Sequence, residues 1–514
     1  MAASTVPTAR PALLPFSAAA RLWWAAAALL LLAGALRVYH LGADPLWYDE
    51  LISTQVVRRG LLSIFVNSQV DPHPPLYYLL LWLASGFGAA QAEWAWRWLS
   101  ALAGALSVPA LYLLARRTAG DLPALVVAMW LAVNPTAVYF SQEARWPAVT
   151  LLLALLLTLA FSALLAQPAE RRRWAVYAAL GAVGLFTSYS FLLVFALQLP
   201  LVLWAVRRQP RAAWLAGVLL ALPLLQALLA ANTLPAIAVQ HAATRALNLK
   251  EIVQSLLAGD AFRYGNFWPH KVTVGLLGAL AALGAWRAWR TGRGAQRVYA
   301  AAQVGGPLAA YGLVLSPFLN LNLPTYESRQ FFALLPALYW LVAEGLALLW
   351  AALPRAAAVA AALALSTVVL VGSAQGLGRY WTITRSPEGQ AMRFVAPQLR
   401  PGDALVAVDF FSAAALRYYL PDWPLYTQPR AAEAGLDFWR PEGQLHYRLS
   451  ERTADVPLAE VYAYPRLWAF SVPGRLDEYA ADIVRGCQVE AAADISWLPL
   501  RVQRLSHCVT PGAP

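Results

Sequence analysis

The feature that most constrains this chain is a recurring run of about twenty apolar residues, ended each time by a cluster of arginines. The clusters are Arg116–Arg117, Arg171–Arg173, Arg207–Arg211, Arg287–Arg297 and Arg355, with Arg10 and Arg21 ahead of the first run. Apolar runs of that length cross a bilayer as helices, and basic residues stay on the cytoplasmic side. Placing every cluster inside predicts spans near 21–39, 98–116, 122–140, 147–167, 174–188, 190–206, 212–231, 272–289, 298–318, 330–350 and 355–375. The expectation is an α-helical polytopic membrane protein of about eleven transmembrane helices, with a cytoplasmic N-terminus and a first helix that is retained because it lacks a small-residue cleavage site. Composition agrees: 60% of residues are hydrophobic and only 13% charged, about half the charge of an ordinary soluble protein.

The run 74–89, PPLYYLLLWLASGFGA, is too short to span. If it crossed, the later arginine clusters would face outward. It is therefore expected to lie at the outer leaflet, inside one long first exoplasmic loop over residues 40–97.

The charge is unevenly placed. Residues 1–377 carry 25 Lys+Arg against 12 Asp+Glu, and residues 378–514 carry 14 against 15. The basic excess thus belongs to membrane loops, which excludes a nucleic-acid partner in favour of membrane lipids. From residue 378 the pattern changes. ALVAVDF (404–410), RLWAFSV (466–472) and LPLRVQRL (498–505) read as strands, while SAAALRYYL (412–420), starting at Ser412, and RLDEYAADIVRGC (475–487) have helical spacing. Residues 378–514 are expected to form a small exoplasmic α/β domain, set against a membrane domain over 1–377. An oxidising location there permits a Cys487–Cys508 bridge.

Four stretches carry chemistry-bearing residues. LWYDELIS (46–53) places Asp49 and Glu50 side by side, where desolvation and mutual repulsion tune a carboxylate as a base; a helix start wants the same residues. DPHPPLYYLL (71–80) brings Asp71 and His73 two apart, a minimal pair for a divalent metal or simply a proline-led turn. NPTAVYFSQEARWP (134–147) sets Glu143 and Arg145 at a membrane boundary, and TYESRQFFALLP (325–336) does the same for Arg329. Arginine suits a lipid phosphate, and snorkelling at the interface is the competing explanation.

Taken in order, these stretches resemble the GT-C superfamily of integral membrane glycosyltransferases, in the branch of protein O-mannosyltransferases and lipid A aminoarabinose transferases. The resemblance covers residues 21–375 and is strongest over 37–145. It implies the GT-C fold, a polyprenyl-phosphate-sugar donor, an unspecified acceptor and transfer with inversion on the exoplasmic face of a bacterial plasma membrane. It implies Asp49 as the base that activates the acceptor, with Glu50 beside it and Glu143 as the second acid. Tyr48, His73, Tyr77, Arg145, Tyr189 and Arg329 are the expected substrate-binding residues, and Asp71 with His73 the position of a metal in some relatives. The chain departs from the family pattern at Asp71 and His73, where relatives often carry Glu and Lys, at Pro147, where many carry Tyr, and at Gln330 after Arg329. Two other classes compete: a polyprenyl-lipid transporter or flippase, and a non-catalytic envelope-assembly protein. No half-to-half repeat supports the transporter, and its polar residues would be expected at midplane.

Overall fold

The structure is a computed structural model. It describes residues 18–66, 73–206, single positions within 210–221, 255–257, 268–291, 328–407, 410–427, 446–448, 461–471, 486–495 and 500–508.

Helix α1 (Ala18–Val38) leads into a first loop built of three short helices, α2 (Tyr48–Arg58), α3 (Leu61–Val66) and α4 (Pro75–Ala84). The bundle continues with α5 (Glu93–Ala119), α6 (Asp121–Val133), α7 (Pro135–Ser141), α8 (Pro147–Ala166), α9 (Arg171–Thr187) and α10 (Leu192–Val206). After it come α11 (Trp268–Thr291), α12 (Ser328–Phe331), α13 (Leu335–Ala352) and α14 (Arg355–Tyr380).

Eleven spans are not what the structure shows. Among the described residues, five helices are long and apolar enough to cross a membrane: Glu93–Ala119, Pro147–Ala166, Lys271–Thr291, Phe332–Ala352 and Arg355–Tyr380. They become six if α6 and α7, bent by 57°, count as one broken span. The correction is one of length. At a rise of 1.5 Å per residue, the 17 residues of α9 and the 15 of α10 reach only about 26 and about 22 Å, short of a roughly 30 Å hydrocarbon core. Three arginines also occupy the first turn of α9. In α1 the apolar stretch is Trp24–Val38. The expected spans at 212–231 and 298–318 lie outside the described residues. The chain is thus a multi-pass integral membrane protein with about five to six such helices among the described residues, followed by a non-membrane β-containing region.

The break between α6 and α7 has a local cause. Pro135 brings no N–H to the helix, and Asn134 adopts an extended conformation (φ −62°, ψ 120°) and caps the next piece by accepting from Ala137 N. Asn134 Nδ2 in turn donates to Leu256 O, Leu257 O and Tyr339 Oη, so the kink is held from two other segments. The kink carries residues 141–146 into the bundle interior, where all of them are buried. Run 74–89 forms only the ten-residue α4, ended by a turn in which Gly86, Phe87 and Gly88 all have positive φ.

Beyond α14, α15 (Pro387–Val395) and α16 (Phe410–Tyr419) accompany six strands: β1 (Asp403–Ala407), β2 (Leu425–Thr427), β3 (His446–Arg448), β4 (Arg466–Ser471), β5 (Gln488–Ile495) and β6 (Leu500–Ser506). They form one mixed sheet in the order β3-β2-β1-β4-β6-β5, parallel from β3 to β4 and antiparallel thereafter. The three strands read from sequence are β1, β4 and β6. The other three were not foreseen, and the helix expected to start at Ser412 begins at Phe410. The helix expected at 475–487 falls almost wholly outside the described residues. Cys487 and Cys508 form a disulfide that joins the outer end of the β5–β6 hairpin. At the same end of the sheet, Asp403 accepts from Arg466 and from Trp468 Nε1, tying β1 to β4.

Candidate functional site

Asp49 and Glu50 open α2, and their neighbours differ sharply. Trp47 stands ahead of the helix in extended conformation, and Glu50 reaches back to accept from Trp47 N, closing the first turn. Glu50 then points inward and is fully buried. It meets the equally buried Arg97 of α5 through two parallel bonds, Nε to Oε1 at 2.7 Å and Nη2 to Oε2 at 2.6 Å. Ala144 N also donates to Oε1 at 2.8 Å. Arg97 spends its remaining donors on the carbonyls of Leu41, Asp44 and Pro45. Burial alone would raise the Glu50 carboxyl, but the charge and hydrogen bonds of Arg97 outweigh it and hold the group below the usual carboxylate range.

Asp49, one residue earlier, faces the other way. Its Oδ2 is ion-paired with Arg329 of α12 and lies 3.9 Å from Arg145 Nη2. Arg145 Nη1 donates to Ser53 Oγ at 3.2 Å and sits 3.4 Å from both Asp49 O and Tyr78 Oη. Arg145 and Arg329, separated by 184 positions, thus converge on one carboxylate oxygen.

Glu143 completes the group. It is 1% exposed, and its Oε1 has no hydrogen-bond partner among the described residues. Burial, then the negative charge of Glu50, pushes its carboxyl well above the usual range, against the opposing pull of Arg385 and Arg329. A carboxyl raised in this way keeps its proton to higher pH than a free one, and while protonated it is a hydrogen-bond donor.

The remaining expected residues are distributed unevenly. Tyr48, next to Asp49, packs half-buried against the core. Tyr77 is buried and its hydroxyl lies 3.4 Å from Ser100 Oγ, which donates to Arg145 O; its neighbour Tyr78 is the tyrosine beside the Arg145 guanidinium. His73 lies edge-on to Trp146, with ring centroids 5.3 Å apart. Asp71 falls outside the described residues, so the expected metal pair is represented by one side chain. Among the described residues no group of three or more His, Cys, Asp or Glu is placed to hold a metal ion. Tyr189 sits half-buried in the single turn Tyr189–Phe191 between α9 and α10. Pro147, one of the departures from the family pattern, is the first residue of α8, where a missing N–H costs nothing.

Two arginines went unread in the sequence. Arg97 sits in EWAWRW and Arg385 in TITRSP, each next to an apolar run. Arg97 holds Glu50. Arg385 Nη1 donates to Gln142 O at 2.8 Å, its Nε lies 3.5 Å from Asp44 Oδ2, and its guanidinium rests 5.3 Å from the Tyr380 ring centroid. Their only sequence signal is an Arg within reach of a loop rich in acids.

A family profile described as dolichyl-phosphate-mannose-protein mannosyltransferase matches residues 72–231. No curated protein matches the chain in sequence. Among solved structures, ArnT from Cupriavidus metallidurans in the apo state is similar with a TM-score of 0.58 at 16% identity, over 95% of this chain and 98% of that one. The same protein bound to undecaprenyl phosphate gives a TM-score of 0.54 at 15% identity, over 97% and 100%. What these likenesses show is the fold.

Proposed function

We propose that this chain, a multi-pass membrane protein with the GT-C fold of the polytopic membrane glycosyltransferases, transfers a glycosyl group from a polyprenyl-phosphate-linked sugar to an acceptor at the membrane surface. The observation that carries the reading is the convergence of Arg145 and Arg329 on Asp49, with the buried Glu143, its carboxyl raised by burial, nearby. A polyprenyl phosphate combines an apolar tail with an anionic head. Two guanidiniums at one end of an apolar bundle match that head, and charge developing on the departing phosphate is where fixed cations accelerate most. The undecaprenyl phosphate bound by ArnT from C. metallidurans supports a donor of this class.

In the resting protein Asp49 occupies the cations that the donor phosphate needs. Donor binding exchanges one anion for the other and frees Asp49. The acceptor nucleophile then attacks the anomeric carbon, the bond from that carbon to the phosphate oxygen breaks, and Asp49 takes the acceptor's proton. Attack opposite the leaving phosphate inverts the anomeric carbon. Glu143 donates a hydrogen bond to the phosphate or to a sugar hydroxyl. Glu50 and Arg97 form the wall against which α2 is set.

Orientation follows from the arginines at the far end. Arg97 lies one turn into α5 and Arg116–Arg117 close its last turn, roughly 30 Å away along the axis. Arg117 meets Leu159 O near the end of α8, and Arg173 meets Ala163 O. A basic end belongs in the cytoplasm, which supports an exoplasmic position for Asp49. The reading is tested by reconstituting the purified chain in liposomes with a radiolabelled polyprenyl-phosphate sugar and candidate acceptors. Label transferred to an acceptor supports it; movement of intact carrier between leaflets with no transfer would establish a flippase instead.

A further inference from the structure

The loop that carries Asp49 is held from the far end of the chain. Residues 43–47 lead into α2 and lie outside regular helix and strand. Leu46 N donates to Tyr419 Oη at 2.7 Å, and Leu46 O accepts from Ser386 Oγ at 2.9 Å. Arg393 donates to Ala43 O at 2.8 Å and pairs with Glu93 at 3.0 Å. Gly389 backs directly onto Pro45, where an added Cβ would collide with the proline ring. Both backbone groups of Leu46, three residues before Asp49, are therefore satisfied by side chains from beyond α14. Arg385 reaches the opposite wall, donating to the carbonyl of Gln142, the residue before Glu143, while its Nε faces Asp44.

We propose that Arg385, Ser386 and Tyr419 are positioning residues: the segment after the last membrane helix acts as a brace that sets the spacing between the Asp49 loop and the Glu143 loop. The proposal rests on the transferase reading. Its physical basis is that a short irregular loop has no ladder of its own, so its position is decided by whatever satisfies its N–H and C=O groups. A displacement of about 1 Å at a reacting group costs up to roughly a hundredfold in rate.

The test uses full-length protein in liposomes. Tyr419→Phe keeps the ring edge-on to Tyr418 and removes only the hydroxyl. It is expected to lower kcat about tenfold or more with donor KM unchanged, and to speed amide exchange across residues 43–50. Arg385→Met should lower kcat likewise, and Arg385→Lys, which retains one donor for Gln142 O, should recover part of the loss. Should Arg385→Met fail to fold, Ser386→Ala takes its place with the same expectation as Tyr419→Phe. Wild-type kcat with unchanged exchange in Tyr419→Phe overturns the brace, as does a loss of rate that follows thermal stability and is not recovered by Arg385→Lys. If the wild-type protein transfers no sugar, the transferase reading fails, and the exchange comparison still decides whether the brace holds the loop.

Discussion

Asp49 and Glu50 are neighbours in sequence and opposites in circumstance. Glu50 is fully buried, and Arg97, Ala144 N and Trp47 N share its two oxygens. Asp49 is partly exposed and meets two arginines through one oxygen, beside the Oε1 of Glu143, which has no partner among the described residues. Helix geometry turns successive residues by about 100°, so one carboxylate enters the wall and the next faces the opening. A saturated pair has no capacity left for a ligand. A partly exposed carboxylate at the opening is within reach of a ligand, and Glu143 Oε1 retains capacity for one, which supports the substrate site proposed there.

The comparison breaks most readily at Asp49. Asp49→Asn keeps the shape and removes the charge, so turnover should fall by about 10²–10⁴-fold while donor affinity holds or improves, because the competing anion is gone. Wild-type turnover in the purified variant would move the base to Glu143. Glu50→Ala should act on stability instead. It leaves Arg97 buried without its partner, a change that typically costs about 3–5 kcal/mol, read as a lower thermal midpoint in detergent. A Glu50→Ala protein as stable as wild type would show that the wall does not depend on this pair.

Arg329→Ala comes next in size. It removes one of two cations and should weaken donor binding by about tenfold to a hundredfold, the worth of a charged hydrogen bond of roughly 1.5–3 kcal/mol. It should also remove one of the two arginines paired with Asp49. Titration of the variant with the donor lipid checks this, and unchanged affinity would remove Arg329 from the phosphate site.

These outcomes bear on what the sequence made legible. Asp49, Glu143, Arg145 and Arg329 were readable because each interrupts apolar sequence at a helix end, where a charge needs a reason. Their meeting at one carboxylate required the fold. The helices were legible as apolar runs, but their usable lengths were not. The ends are set by local devices: the Asn134–Pro135 kink, the Gly120 turn with φ 86°, and the arginines at the start of α9. Arg97 and Arg385 stayed hidden because an arginine near an interface has an adequate explanation in snorkelling. Only the carbonyls they meet, at Leu41, Pro45 and Gln142, distinguish an anchor in the interior from one at the surface. The short strands β2 and β3, three residues each, are below the length at which alternation can be read.

The smallest effect is expected at Glu143, and its sign is the informative part. Burial and the charge of Glu50 raise its carboxyl in the folded protein above the value it has in the unfolded chain. Below the unfolded pKa both states hold the proton and the group contributes nothing to pH dependence. Above it the unfolded chain gives the proton up while the folded protein keeps it, so unfolding becomes easier as pH rises until the folded pKa is passed. Glu50 works in the other direction: its stabilisation is present at neutral pH and is lost as pH falls through its lowered folded pKa. Across a series from pH 4 to pH 8, Glu143→Gln should therefore stand nearest to wild type in thermal midpoint at the acid end and gain on it as pH rises toward the folded pKa. The same variant should transfer sugar more slowly, because an amide N–H replaces the carboxyl proton as the donor. Midpoints that run parallel across that pH range would show that Glu143 is ionised in the folded protein, and its place beside Asp49 would then be that of a second base.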